Sequence, residues 1–166
     1  MMHVMSDDVK VCFDYHSPVG RLRLVADDDA LLSAVFADDA TAGGCGCACH
    51  GAVMAEAVRQ LDAYFDGRLR AFDLPLRMCG SIFRQSVWEA LRAIPYGTTA
   101  TYGDVAGVVG RPGAARAVGG ACHFNPFVII VPCHRVVSVA RGAWSGYAGG
   151  IDRKLWLLEW ERRNST

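Results

Sequence analysis

No stretch of this 166-residue chain stays apolar long enough to cross a bilayer. The longest runs, Ala30–Phe36 (broken by Ser33) and Phe127–Val131, fall far short of the roughly 20 residues a spanning helix needs. The first residues show no basic patch followed by an apolar stretch, so no secretory signal and no membrane association is expected. There is no glycine-rich phosphate loop and no dinucleotide fingerprint, and no cofactor is expected. Internal repeats are absent, as is low-complexity sequence outside one Gly/Cys loop. Net charge is also missing: 17 basic and 17 acidic side chains cancel, which by itself gives no hint of a polyanionic partner. What remains, 52% hydrophobic and 20% charged, is the composition of an ordinary folded protein of one or two small domains. Seven cysteines without a secretion signal are expected to be mostly reduced, in the cytoplasm.

The cancelled charge is unevenly spread. Residues 1–79 carry seven basic and twelve acidic side chains, and residues 80–166 carry ten and five. A basic C-terminal half behind an acidic N-terminal one is consistent with a polyanion facing the former, though a solvated acidic face gives the same count. The pattern of elements changes at the same place. Val9–Tyr15, Arg21–Ala26 and Leu31–Phe36 read as strands separated by Ser17-Pro18-Val19-Gly20 and Asp27-Asp28-Asp29 turns. Ala52–Phe65 has helical spacing, with Val53, Ala57, Leu61 and Tyr64 on one face, and Phe72–Leu76 reads as a last strand. From Ser81, an N-cap candidate, the chain reads as helices. One carries Phe83, Val87, Leu91 and Ile94. A pair follows, Tyr102–Val109 and Ala114–Cys122, turning at Gly110-Arg111-Pro112-Gly113 as a helix-turn-helix. The fold class expected is α+β, with a small N-terminal α/β domain over residues 1–80 holding an antiparallel sheet. A helical domain over 81–166, containing the helix-turn-helix, follows.

The second helix of that pair is small-sided, with Arg116 its one long side chain. Two readings stand level: tight packing on a neighbouring helix, or a recognition helix whose backbone approaches a DNA groove.

The chemistry is concentrated in Asn125-Pro126-Phe127-Val128-Ile129-Ile130-Val131-Pro132-Cys133-His134-Arg135-Val136-Val137. A buried cysteine at the end of an apolar run is commonly inert. A thiol is, however, the strongest side-chain nucleophile near neutrality once a base or a positive field favours its thiolate. His134 and Arg135 stand next to Cys133, and a carboxylate is needed to orient the imidazole. The last helix, Asp152–Arg162, offers Glu161, on the same face as Lys154 two turns earlier.

The string Pro132-Cys133-His134-Arg135-Val136-Val137 resembles the active-site signature of the 6-O-alkylguanine-DNA alkyltransferases. Phe83-Arg84-Gln85, Pro95-Tyr96-Gly97, Thr101-Tyr102-Gly103, Ala114–Gly119, Asn125-Pro126, Gly146–Gly150 and Lys154…Leu157-Leu158…Glu161 are similar to that family's motifs, in its order and near its spacing. The N-terminal half resembles it chiefly through Leu61-Asp62-Ala63-Tyr64-Phe65. The resemblance implies an RNase H-like first domain and a winged-helix-like second one, acting as a monomer on double-stranded DNA that carries alkylated guanine. It implies transfer of a methyl or other alkyl group from 6-O-alkylguanine, with 4-O-alkylthymine as a second substrate, to Cys133, which ends the protein's activity. His134 then corresponds to the base that deprotonates Cys133 through a water, Glu161 to the carboxylate holding His134, and Asn125 to the residue that stitches the active-site turn. Tyr102 corresponds to the phenol that protonates the departing guanine, and Arg116 to the finger that replaces the flipped nucleotide. Arg135, Val136, Tyr147 and Ala148 are placed among the DNA- and base-binding residues, Val136 and Ala148 through backbone groups and Tyr147 through its ring.

Two segments are individual. Ser138–Ser145, with Arg141 and Trp144, stands where the family has a polar turn, and bears on the size of adduct accepted. The loop Cys45-Gly46-Cys47-Ala48-Cys49-His50 has soft ligand types but no C-x-x-C knuckle, and no metal is expected there. Two other functions are open on the sequence: a non-catalytic binder of alkylated bases, whose known forms lack the reactive cysteine, and a cysteine hydrolase, which leaves the helix-turn-helix unexplained.

Overall fold

The computed structural model describes residues 10–38, 51–139 and 146–166. The segment holding Cys45, Cys47, Cys49 and His50, and the one holding Arg141 and Trp144, lie outside the described residues. The chain begins with three antiparallel strands in the order β1 (Val11–Ser17), β2 (Gly20–Ala26) and β3 (Leu31–Phe36). Leu22, Leu24 and Ala26 alternate along β2 toward one face and are fully buried, the period-two signature of a half-buried strand. Helix α1 (Ala52–Phe65) packs on the sheet, with Met54, Ala57, Leu61 and Tyr64 buried along it. Among the described cysteines, Cys79, Cys122 and Cys133 are free and Cys12 on β1 is disulfide-bonded.

The strand expected over Phe72–Leu76 does not form. Only Leu76 bridges to Leu31, and Leu31 exchanges backbone hydrogen bonds with Pro75 and Arg77 (2.8 and 3.0 Å). Pro75 has no N–H to give to a ladder. The Gln60 side chain takes the place of a neighbouring strand: its amide donates to Asp73 O and accepts from Asp73 N, both at 2.8 Å.

Helix α2 (Ile82–Arg92) opens with Ser81 as its cap, the hydroxyl accepting from Arg84 N. Helices α3 (Tyr102–Val108) and α4 (Ala115–His123) form the helix-turn-helix, and both pack against α2. Trp88 of α2 is buried and its indole donates to Ala121 O at 2.9 Å, tying α2 to α4. A pairing of two residues a side, β4 (Ala100–Thr101) with β5 (Val136–Val137), is parallel and too short to announce itself in sequence. Helix α5 (Ile151–Asn164) closes the chain against the Cys133–Arg135 turn. No described helix is long and apolar enough to cross a membrane.

One apolar cluster runs through both halves. The join is also a backbone one: Ala34 of β3 donates to Pro126 O (2.7 Å) and accepts from Val128 N (2.8 Å). The apolar run that leads to Cys133 is thus docked along the edge of the N-terminal sheet.

Candidate active site

The run from Asn125 folds as a chain of tight turns. Ile129 adopts φ 72°, a region that β-branched residues avoid, and Ile130 N donates to Val128 O across it at 2.9 Å. Asn125 holds these turns together. Its carbonyl accepts from Phe127 N at 2.9 Å, while Nδ2 donates to Val131 O at 2.8 Å and to Cys133 Sγ at 3.2 Å. The residues Cys133–Arg135 then make a single 3₁₀ turn, all three buried.

Cys133 is only 4% exposed. Burial pushes its thiol up, and this is opposed by the Asn125 hydrogen bond and by the positive charge of Lys154. Lys154 is itself fully buried. Its Nζ donates to Val136 O at 2.6 Å, and burial draws its pKa down against the pull of Cys133 and Cys122. His134 has no exposed surface, and its Nε2 lies 2.8 Å from Glu161 Oε1. Burial depresses the imidazole against the raising influence of Glu161. The carboxyl of Glu161 is held well below its ordinary range: burial works to raise it, but hydrogen bonds from His134 and Arg135 prevail. A carboxylate only accepts, so Nε2 is the protonated nitrogen and Nδ1 of the neutral ring carries the lone pair. Nδ1 is buried and has no hydrogen-bond partner among the described residues.

Glu161 gathers more donors than the sequence indicated. Arg135 is bidentate on it (Nε to Oε2 and Nη2 to Oε1, both 2.9 Å), Gly97 N donates to Oε2 at 3.2 Å, and the Tyr64 hydroxyl donates to Oε1 at 2.8 Å. Gly97 is required there: at φ 74° a Cβ would stand 2.7 Å from Ser165 Cβ.

In front of Cys133 lies a cavity of about 430 Å³, lined also by Cys122, by Tyr102 and Gly119 of the helix-turn-helix, and by Gly146–Ala148. Tyr102 is the first residue of α3, inside the capping box that Thr101 and Asp104 form, which fixes its backbone. Its hydroxyl donates to Gly146 O at 3.2 Å, and burial first, then Cys122 and Cys133, push its pKa up to about 12. Tyr147 is pushed well above the ordinary phenol value by burial first and then by Cys133. Gly149 lets this segment close down, since a Cβ there would meet the Phe36 and Tyr147 rings at 2.6 and 2.7 Å. A second cavity of about 670 Å³ shares Tyr102, Gly119 and Gly146 with the first and reaches exposed Arg116 and Val137–Val139. The two cavities thus adjoin at Tyr102, Gly119 and Gly146, one facing the thiol and the other the helix-turn-helix.

The structure brings Cys133, His134, Glu161 and Asn125 together behind this cavity, and Tyr102, Tyr147 and Ala148 around it. One residue expected among the DNA- and base-binding set is placed otherwise. Arg135 is buried, donates to Glu161 and to Ile94 O (2.6 Å), and lines a different cavity. Val136 is fully buried, with its carbonyl held by Lys154. A basic residue beside a reactive cysteine reads as a source of positive field or as a DNA contact, and only the fold shows a buried carboxylate claiming it. Tyr64 and Gly97 were missed as partners of Glu161; Lys154, which shared its helix face, carried the one available signal. Among the described residues no group of three or more metal-ligating side chains occurs.

Comparison with known proteins accords with this geometry. The family described as "6-O-methylguanine DNA methyltransferase, ribonuclease-like domain" matches residues 11–78, and "6-O-methylguanine DNA methyltransferase, DNA binding domain" matches 82–163. The methylated-DNA–protein-cysteine methyltransferase of Mycobacterium leprae is 48% identical over 152 residues, covering 91% of this chain and 92% of that one. The crystal structure of the Mycobacterium tuberculosis O6-methylguanine methyltransferase superposes with a TM-score of 0.82 at 41% identity, covering 95% of this chain and 96% of that one. The Mycobacterium tuberculosis protein in complex with DNA gives 0.79 at 43%, covering 93% of each. The chain belongs to the 6-O-methylguanine-DNA methyltransferase family, and it repairs DNA by moving a methyl group onto a cysteine.

Proposed function

We propose that Cys133 is that cysteine, that its substrate is alkylated guanine extruded from double-stranded DNA, and that each molecule acts once. The observation that carries this reading is a buried thiol that lines a cavity, holds a hydrogen bond from Asn125, and is followed in the chain by a fully buried imidazole–carboxylate pair. His134 takes the thiol proton at Nδ1 through a water while Glu161 holds Nε2–H. The thiolate, facing Lys154, attacks the saturated alkyl carbon in line; the S–C bond forms as the C–O bond breaks. Guanine leaves with negative charge on its oxygen, and Tyr102, a neutral phenol at neutral pH, supplies the proton or hydrogen bond it needs.

The lesion reaches a buried thiol only by leaving the duplex. Arg116, exposed on α4, fills the stack it leaves, with Tyr147 and Ala148 against the extruded base. Arg135 belongs to the Glu161 cluster. The product is a thioether, which neither His134 nor water cleaves under mild conditions, so no turnover follows. Other alkyl groups and 4-O-alkylthymine are within reach of the same chemistry. The protein acts as a cytoplasmic monomer, its two domains meeting at about residue 80.

Incubation with methylated duplex, digestion and mass analysis test the assignment. The Cys133 peptide is expected to gain one methyl group; a methyl on the Cys79 or Cys122 peptide instead would refute it.

A further inference from the structure

Leu61-Asp62-Ala63-Tyr64-Phe65 was the one N-terminal motif that the transfer chemistry left without a part. We propose that Tyr64 is a positioning residue of the transfer site: from α1 its hydroxyl fixes Glu161 Oε1, and through it the orientation of His134. Tyr64 is fully buried, and its O–H donates to Oε1 at 2.8 Å, the same oxygen that receives His134 Nε2 at 2.8 Å. The contact joins residues 97 positions apart, so the first domain reaches directly into the charge network of the second. It has little freedom: the ring is packed edge-on to Phe65 and Tyr96 and tilted against Phe72, and Trp160 Nε1 donates to Tyr64 O at 3.2 Å.

The competing attachments of Glu161 explain why such an anchor matters. Arg135 grips both carboxylate oxygens and Gly97 only Oε2, so among the described residues Tyr64 is, besides His134, the donor that holds Oε1 alone. Without Tyr64, Oε1 keeps only the Arg135 fork as an anchor besides the imidazole, the bond to His134 weakens, and the base that deprotonates Cys133 loses its alignment. The ionisable groups facing this cluster are Cys133, His134, Arg135, Tyr96 and Lys154, and Tyr64→Phe leaves all of them in place.

This inference rests on the assignment of Cys133 and His134 above, and its test is read first without DNA. The rate of Cys133 alkylation by iodoacetamide is measured against pH in the full chain for wild type, Tyr64→Phe and Tyr15→Phe. Tyr15→Phe removes another hydroxyl of the same domain, one bound to Asp62 Oδ1 at 2.7 Å. Tyr64→Phe is expected to displace the profile upward by about one pH unit, a tenfold loss of thiolate below the midpoint. It is also expected to slow methyl uptake from methylated duplex about tenfold, as removal of a group that orients a catalytic ligand does. Tyr15→Phe is expected to follow wild type, and in a Glu161→Gln background the Tyr64 effect should vanish. A Tyr64→Phe profile that coincides with wild type, or a Tyr15→Phe profile that shifts equally, overturns the proposal. Failure of wild type to take up methyl would instead defeat the assignment of the site, and the iodoacetamide arm separates the two.

Discussion

Cys133→Ser is expected to reduce methyl transfer to background while the protein still folds and binds DNA. Serine differs by one atom, fits the same turn, and can still accept from Asn125 Nδ2, so the cavity keeps its shape. What disappears is the nucleophile. A buried hydroxyl is far harder to ionise than a thiol, and its oxygen is less polarisable toward a saturated carbon. Binding to methylated duplex by the variant, with no labelled protein formed, is the outcome that places chemistry and not recognition at residue 133. Cys122 lines the same cavity and is the alternative acceptor. Burial pushes it up to about 12, and Asn125 donates to the sulfur of Cys133. Near-normal transfer by Cys133→Ser would assign the chemistry to Cys122.

The second large effect is expected from Glu161→Gln. The variant removes the charge that orients His134 and raises its basicity, so the neutral ring becomes a poorer acceptor for the Cys133 proton. Since the thiolate is the reactive form, the rate below the apparent thiol pKa rises with pH, and weakening the base moves that rise to higher pH. Transfer near neutrality should fall between about tenfold and a thousandfold, the span of general-base and orienting effects. The same change leaves Arg135 buried without its counter-ion, at a cost of about 3–5 kcal/mol in stability. The measurement is therefore the pH dependence of Cys133 alkylation by a small electrophile, made well below the variant's unfolding temperature. An unchanged profile would remove Glu161 from the proton path.

How much of this was written in the sequence depends on the range of each interaction. Helix α1 begins and ends where its apolar spacing placed it, Ser81 caps α2 as its position foretold, and β3 spans the expected residues. These are local matters of period and capping. The segment Phe72–Leu76 misled because its apolar residues read as a strand, while Pro75 and the distant Gln60 side chain decided its hydrogen bonding. In the site, Cys133 and His134 are adjacent and Glu161 follows on a helix with legible spacing, so the central line was visible. Arg135 was misplaced and Tyr64 overlooked for one reason. Both are settled by where Glu161 lies in space, and neither a two-residue nor a 3.6-residue period reports on that.

The central claim is that the protein is consumed by its own reaction, and a burst experiment with excess methylated duplex tests it most directly. Methyl transfer should rise to a plateau of about one group per molecule, all of it on Cys133, with no steady state afterwards. Fresh DNA should restart nothing, and fresh protein should restart the burst. Continued linear release of repaired DNA after the first equivalent would contradict the account, because it would require the bond to Cys133 to be broken and the thiol regenerated.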